Sequence, residues 1–130
     1  TKNLIMTLLN KPANISLPKI IKQNICLKQI AKIKDLEIGT FKIFEPKSSC
    51  QTVKLSEFDT IIVPCIAVDI DGNRIGRGKG FYDRLLCNKN KKTTIICLAY
   101  EFQVIDKIKP SIHDQAVDFI VTENRVIKIR

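Results

Sequence analysis

The sequence has no tryptophan, one histidine and one methionine, and no apolar run longer than eight residues. That longest run, Ile61 to Val68, is interrupted by Pro64 and falls well short of the roughly 20 residues a membrane-crossing helix needs. Neither a membrane span nor a signal peptide is read in these residues. Cysteine pairing signals are missing as well: Cys26, Cys50, Cys65, Cys87 and Cys97 are odd in number and show no C-x-x-C spacing. Most lie in apolar stretches, which points to a reduced, cytoplasmic compartment where cysteine serves as a small core residue. Aromatics make up only 6% of the chain, and none is interleaved with a basic stretch, so the net charge of +9 does not by itself define a nucleic-acid surface. Seventeen of the 22 basic residues are scattered lysines, accompanied by 22 isoleucines and eight asparagines, a mixture that A- and T-rich codons produce.

What is present suits one compact domain over residues 1–130: 45% of the chain is apolar, enough to bury a core. Leu4, Ile5, Leu8 and Leu9 recur at helical spacing, with Pro12 closing the segment near Asn10. Ile15 to Ile21 and Asn24 to Ala31 are read as strands, although periodicity leaves helix open. From Lys32 to Ser49 the chain reads as a connection punctuated by Gly39 and Pro46, with a short extended piece at Phe41 to Phe44. Thr60 to Val68 is expected to be a central parallel strand buried on both faces. Asp71-Gly72-Asn73 supplies a turn, Phe81 to Leu86 a helix, and Thr93 to Ala99 and Val117 to Val121 two more strands, joined by an irregular or helical link containing Pro110. Strands alternating with helical connections predict an α/β fold with a largely parallel sheet. No repeat or low-complexity linker is visible.

The chemistry concentrates in Gly72-Asn73-Arg74-Ile75-Gly76-Arg77-Gly78-Lys79-Gly80-Phe81-Tyr82-Asp83. Glycines at alternate positions allow a tight turn and close approach of backbone amides to anionic oxygens, and a following helix start would add partial positive charge. Arg74, Arg77 and Lys79 surround the same spot with formal charge, which suits a polyphosphate better than one carboxylate. Two familiar phosphate motifs are excluded. The dinucleotide fingerprint would need glycine at Phe81, and no Lys followed by Ser or Thr completes a Walker loop. A glycine cluster can also be only a turn, and Asp83 in the first turn of a helix is favoured by the helix dipole alone. With a nucleotide in the loop, the same carboxylate would reach Mg²⁺, with Asp114 as its partner. His113 is read as an ordinary surface or capping residue rather than a catalytic one.

The same residues carry a resemblance. Ile62-Val63-Pro64, Ala67-Val68-Asp69 and the stretch Gly72 to Arg84 resemble the signature of the 5-formyltetrahydrofolate cyclo-ligases. Ser16-Leu17-Pro18, Glu45-Pro46, Ala99-Tyr100, His113-Asp114 and Val117-Asp118 agree with the family's other segments. The resemblance implies a three-layer α/β/α scaffold of Rossmann-like type, with ATP and Mg²⁺ as cofactors and 5-formyltetrahydrofolate as substrate. The γ-phosphoryl group would pass to the formyl oxygen, the folate's other nitrogen would attack that carbon, and phosphate would leave. Carried over residue by residue, Arg74, Ile75, Gly76, Arg77, Gly78, Lys79, Gly80, Phe81 and Tyr82 would hold ATP. Arg77 and Lys79 would stabilise the migrating charge, and Asp83 and Asp114 would bind Mg²⁺. The backbone from Arg77 to Phe81 would border the formyl group, with Tyr82 stacking or donating a hydrogen bond.

One departure lies at the front. Members of that family begin with a helix bearing a Lys and an Arg that contact ATP, followed by a Glu-x-x-Thr-like segment, and Thr1 corresponds to its threonine. The expected form is therefore a monomer truncated at its N-terminus, either part of a longer enzyme or completed by a separate N-terminal chain. No nucleic-acid or membrane partner is expected. A non-catalytic nucleotide-binding domain is the alternative reading.

Overall fold

The computed structural model describes residues 2–39 and 42–130, which fall into two compact units, Thr1–Lys54 and Leu55–Arg130. In the first, the apolar spacing of the opening segment yields helix α1, Lys2–Leu9, with Leu4, Ile5, Leu8 and Leu9 half-buried on one face. The two Ile-rich runs are strands as read, β1, Ile15–Ile21, and β2, Asn24–Ile30, and they pair as a two-stranded antiparallel hairpin. Its tight turn places Lys22 at φ 57°, a conformation that non-glycine residues adopt sparingly.

The stretch read as a connection is more ordered than its composition implies. It holds β3, Leu36–Ile38, paired antiparallel with β4, Phe44–Pro46. Phe44 alone of the predicted extended piece is in a strand; Thr40 and Phe41, like Thr1, lie outside the described residues. Glu45 is 4% exposed, and its side chain packs so closely on Gly39 that no Cβ fits there.

In the second unit the run Thr60 to Val68 is not one strand. It breaks into β5, Thr60–Val63, and β6, Ala67–Asp69, which belong to different sheets. Pro64 has no N–H to give to a ladder, and that interrupts the run. Nor is β5 central: among the described residues the four-stranded sheet runs in the order β11 (Val126–Lys128), β10 (Phe119–Val121), β8 (Thr94–Leu98), β5, and Thr60 and Ile62 are exposed. The strand covered on both faces is β8, Thr94–Leu98, none of whose residues is exposed. Strands β5, β8 and β10, Phe119–Val121, are parallel, while β11, Val126–Lys128, joins β10 antiparallel.

A three-stranded sheet runs β7-β6-β9, with β7, Arg74–Ile75, antiparallel and β9, Val104–Ile105, parallel to β6. Helix α2, Phe81–Leu86, has the predicted bounds. Val63, Val68, Leu86, Ile95, Cys97, Val117 and Ile120 make the core of this unit, and Tyr82 packs against them. The architecture is thus of the α/β class, with mixed sheets and few helices.

Candidate functional site

The glycine-rich stretch starts from a hairpin whose corner is locked by one buried acid. Asp69 is 0% exposed, and its Oδ1 accepts the amides of Asp71 and Asn73 at 3.1 and 2.8 Å. Its Oδ2 accepts Asn73 Nδ2 at 3.0 Å and the Ile108 amide at 2.8 Å. Burial works to raise the pKa of this carboxyl, but the four donors outweigh it and hold the group below its usual value. Gly72 sits in the turn at φ +85°, and a Cβ there would lie 2.7 Å from the Val117 carbonyl, so only glycine lets the turn meet that neighbouring chain.

Beyond β7 the backbone leaves regular structure. Gly78 and Gly80 take φ of +78° and +60°, and a Cβ at Gly76 or Gly78 would meet nothing within 4 Å, so the loop borders open space. The amides of Gly76, Arg77, Gly78 and Gly80 make no hydrogen bond among the described residues. The side chains of Arg77 and Lys79 are exposed beside them, and Arg77 has no ion pair among the described residues. Lys79 Nζ lies 5.9 Å from the Phe81 ring centre, and the Arg84 guanidinium lies 5.2 Å from it. Arg84 also donates to the Lys79 carbonyl at 2.8 Å, fastening the end of the loop. Helix α2 has only six residues and no side-chain cap, so the helix-dipole contribution expected from the sequence has little to stand on.

Arg74 is placed differently from its two companions. Its side chain is 4% exposed, with Nη2 2.8 Å from Asp83 Oδ1 and Nη1 donating at 2.7 Å to the Gln115 carbonyl. The Gln115 amide approaches the same Asp83 oxygen at 3.4 Å. Asp83 and the residue after Asp114 therefore meet through Arg74. Asp114 itself is exposed and accepts the Ser111 amide at 2.7 Å through Oδ2. His113 is exposed, as expected. Tyr82 is half-buried; burial pushes its hydroxyl pKa up, and nearby Arg74 partly offsets this.

No cluster of three or more metal-ligating acids, histidines or cysteines exists among the described residues. That is compatible with a hard cation of the Mg²⁺ type, which takes one or two carboxylates and completes its shell with phosphate oxygens and water. The five cysteines are free, with Cys97 buried, Cys87 exposed and the other three half-buried. In the first unit an apolar hollow of about 220 Å³ is lined by Lys2, Ile5, Ile33, Leu36 and Phe44, none of them a predicted site residue.

The sequence reading quoted Asp69, Asn73 and Arg84 within its motifs without giving them a task of their own, and it missed Gln115. Asp69 had a signal, an acid at the end of an apolar run two residues before a turn glycine. Gln115 acts through its main chain, which leaves no mark in sequence.

An α/β unit whose glycine-rich loop offers unused amides and exposed cations has the construction of an anion-binding site. Comparison with known proteins narrows this. The model of the 5-formyltetrahydrofolate cyclo-ligase family matches residues 1–123, and the chain belongs to that family of enzymes. The 5-formyltetrahydrofolate cyclo-ligase of Haemophilus influenzae is 36% identical over 113 residues, covering 83% of this chain and 60% of that protein. Its Escherichia coli K12 counterpart is 36% identical over 94 residues, covering 71% of this chain and 52% of its own length. A solved structure of Aquifex aeolicus 5,10-methenyltetrahydrofolate synthetase superposes with a TM-score of 0.85 at 36% identity, over 99% of this chain and 64% of that one. The chain thus spans little more than half the length of these relatives. No helix among the described residues is long and apolar enough to cross a membrane.

Proposed function

We propose that this chain carries the nucleotide half of an ATP-dependent conversion of 5-formyltetrahydrofolate to 5,10-methenyltetrahydrofolate, releasing ADP and phosphate. The observation that carries the reading is the set of unspent amides at Gly76, Arg77, Gly78 and Gly80, flanked by exposed Arg77 and Lys79. Amides that no protein carbonyl uses, in a loop with two positive-φ glycines, are free to receive phosphate oxygens, which supports this reading. Arg77 and Lys79 neutralise charge as the γ-phosphoryl moves to the formyl oxygen; the second folate nitrogen then closes on the formyl carbon, and phosphate leaves with the oxygen. Positioning and charge neutralisation supply most of the catalysis in such transfers.

Asp83 and Asp114 would hold Mg²⁺, whose contribution is to neutralise phosphate charge. Phe81 and Tyr82 would border the nucleotide or the formyl end of the folate. The three-layer scaffold, a single functional domain over 1–130, the monomeric state, possible completion by a separate N-terminal chain and a cytoplasmic location belong to the same reading.

The test is direct. Incubated with ATP, Mg²⁺ and 5-formyltetrahydrofolate, the chain should raise the methenyl absorbance in step with ADP release. A second reading, a nucleotide-binding domain without turnover, draws on the limited share of the relatives' length that the chain covers. ATP binding with no absorbance change would favour it, and no ATP binding would overturn both.

A further inference from the structure

We infer that Arg74 is a positioning residue for the cation site: it orients Asp83 and draws the Asp114 segment beside it, rather than touching phosphate. The inference rests on the nucleotide reading above and assigns one of its loop cations a different task. A phosphate ligand needs N–H groups that an incoming anion can reach, and Arg77 is exposed. The Arg74 side chain is 4% exposed, and both terminal nitrogens are already engaged, Nη2 on Asp83 Oδ1 at 2.8 Å and Nη1 on the Gln115 carbonyl at 2.7 Å.

The consequence for Asp83 follows from which oxygen is used. Oδ1 takes both the guanidinium and, at 3.4 Å, the Gln115 amide, while Oδ2 takes neither. A carboxylate fixed through one oxygen, in a side chain still 27% exposed, leaves the other oxygen clear of these two partners. Partners that orient ligating carboxylates in this way typically change metal affinity by roughly 10- to 100-fold when removed. Arg74 also anchors the main chain one residue beyond Asp114, so one side chain joins β7, α2 and the loop bearing the second acid. Lysine keeps the charge but has no planar fork with which to span two acceptors on different segments.

The experiment uses Mn²⁺ as a paramagnetic probe with a non-hydrolysable ATP analogue, reading metal affinity by electron paramagnetic resonance and metal-free nucleotide affinity by calorimetry. Arg74→Lys should weaken Mn²⁺ binding in the ternary complex roughly 10-fold and leave metal-free nucleotide affinity within about twofold. In an Asp83→Asn background its further cost should shrink to a small fraction, because most of its action runs through Asp83 and only the hold on the Asp114 segment remains. Arg77→Ala should do the reverse, lowering nucleotide affinity without metal.

A loss of metal-free nucleotide affinity in Arg74→Lys equal to that of Arg77→Ala would overturn the assignment. So would an undiminished effect in the Asp83→Asn background, or tighter metal binding. The wild-type chain supplies a check without substitution: on adding Mg²⁺ and the analogue, Arg77 guanidinium NMR signals should move and those of Arg74 should not, and equal shifts would refute the proposal. Wild-type binding that ignores Arg74→Lys removes this role alone, whereas no nucleotide-dependent Mn²⁺ binding by the wild type removes the functional reading and the role with it.

Discussion

At the scale of single residues, buried ions organise the site, and the cations proposed to meet ligands are the exposed ones. Asp69 is the strongest case, a carboxylate with four donors and no solvent exposure. Asp69→Asn replaces an oxygen acceptor with a donor, facing groups that themselves donate, and should cost on the order of 3 kcal/mol in thermal or urea unfolding at pH 7. Its pKa is lowered in the folded chain, so this stabilisation is present above the usual carboxylate pKa of 3.8 and is lost as pH falls through the lower folded value. The gap between wild type and variant should therefore shrink on acidification below that pH, and a gap constant from pH 7 to pH 3 would refute the account. For the exposed cations, Lys79→Ala should weaken ATP binding by about 1.5 to 3 kcal/mol while the melting temperature holds, as measured by calorimetry. Residue types made the loop cations and Asp83 legible in the sequence. Burial did not show there, and it is burial that separates Arg74 from Arg77.

At the scale of elements, glycines in the same loop do unlike jobs. Gly72 has both a left-handed φ and the Val117 carbonyl where a Cβ would go, whereas Gly76 has neither a positive φ nor a neighbour within 4 Å. Gly72→Ala should lose about 2 kcal/mol or more of stability, from backbone strain plus displacement of the adjoining chain. Gly76→Ala should leave stability within about 0.5 kcal/mol and change only nucleotide affinity. Equal melting temperatures for the two variants would show that the turn does not need its glycine. Helices α1 and α2 and strand β8 were legible from hydrophobic spacing and turn residues, whereas β1 and β2 were read from Ile-rich runs whose periodicity left helix open and whose pairing was not foreseen. Thr60 to Val68 was misread because composition alone joins two apolar pieces that one proline separates. Strands of two or three residues such as β3, β7 and β9 are too short to show any period, and pairing with distant chain defines them.

At the scale of the whole molecule the charge of +9 has to be divided before it can be interpreted. Some of it is used inside the fold. Lys28 is 9% exposed and donates to the carbonyls of Ser48 and Cys50, and Lys19 reaches Glu37 at 3.0 Å, Glu45 at 3.9 Å and the Pro46 carbonyl. What remains on the surface is mostly scattered lysine, and the exposed pair Tyr100 and Phe102, whose rings stack on each other at 5.6 Å, flanks Glu101 rather than a basic residue. The chain should bind a labelled 20-nucleotide strand only non-specifically, with a dissociation constant of the order of 10 to 100 µM at physiological salt and a steep loss on raising it. Fluorescence anisotropy at two salt concentrations measures this. The double variant Arg77→Ala, Lys79→Ala should leave that weak binding nearly unchanged while ATP affinity falls, because two charges matter little to a diffuse field and a great deal to a loop of four unspent amides. Submicromolar oligonucleotide affinity abolished by the same pair would instead make the loop part of a nucleic-acid surface.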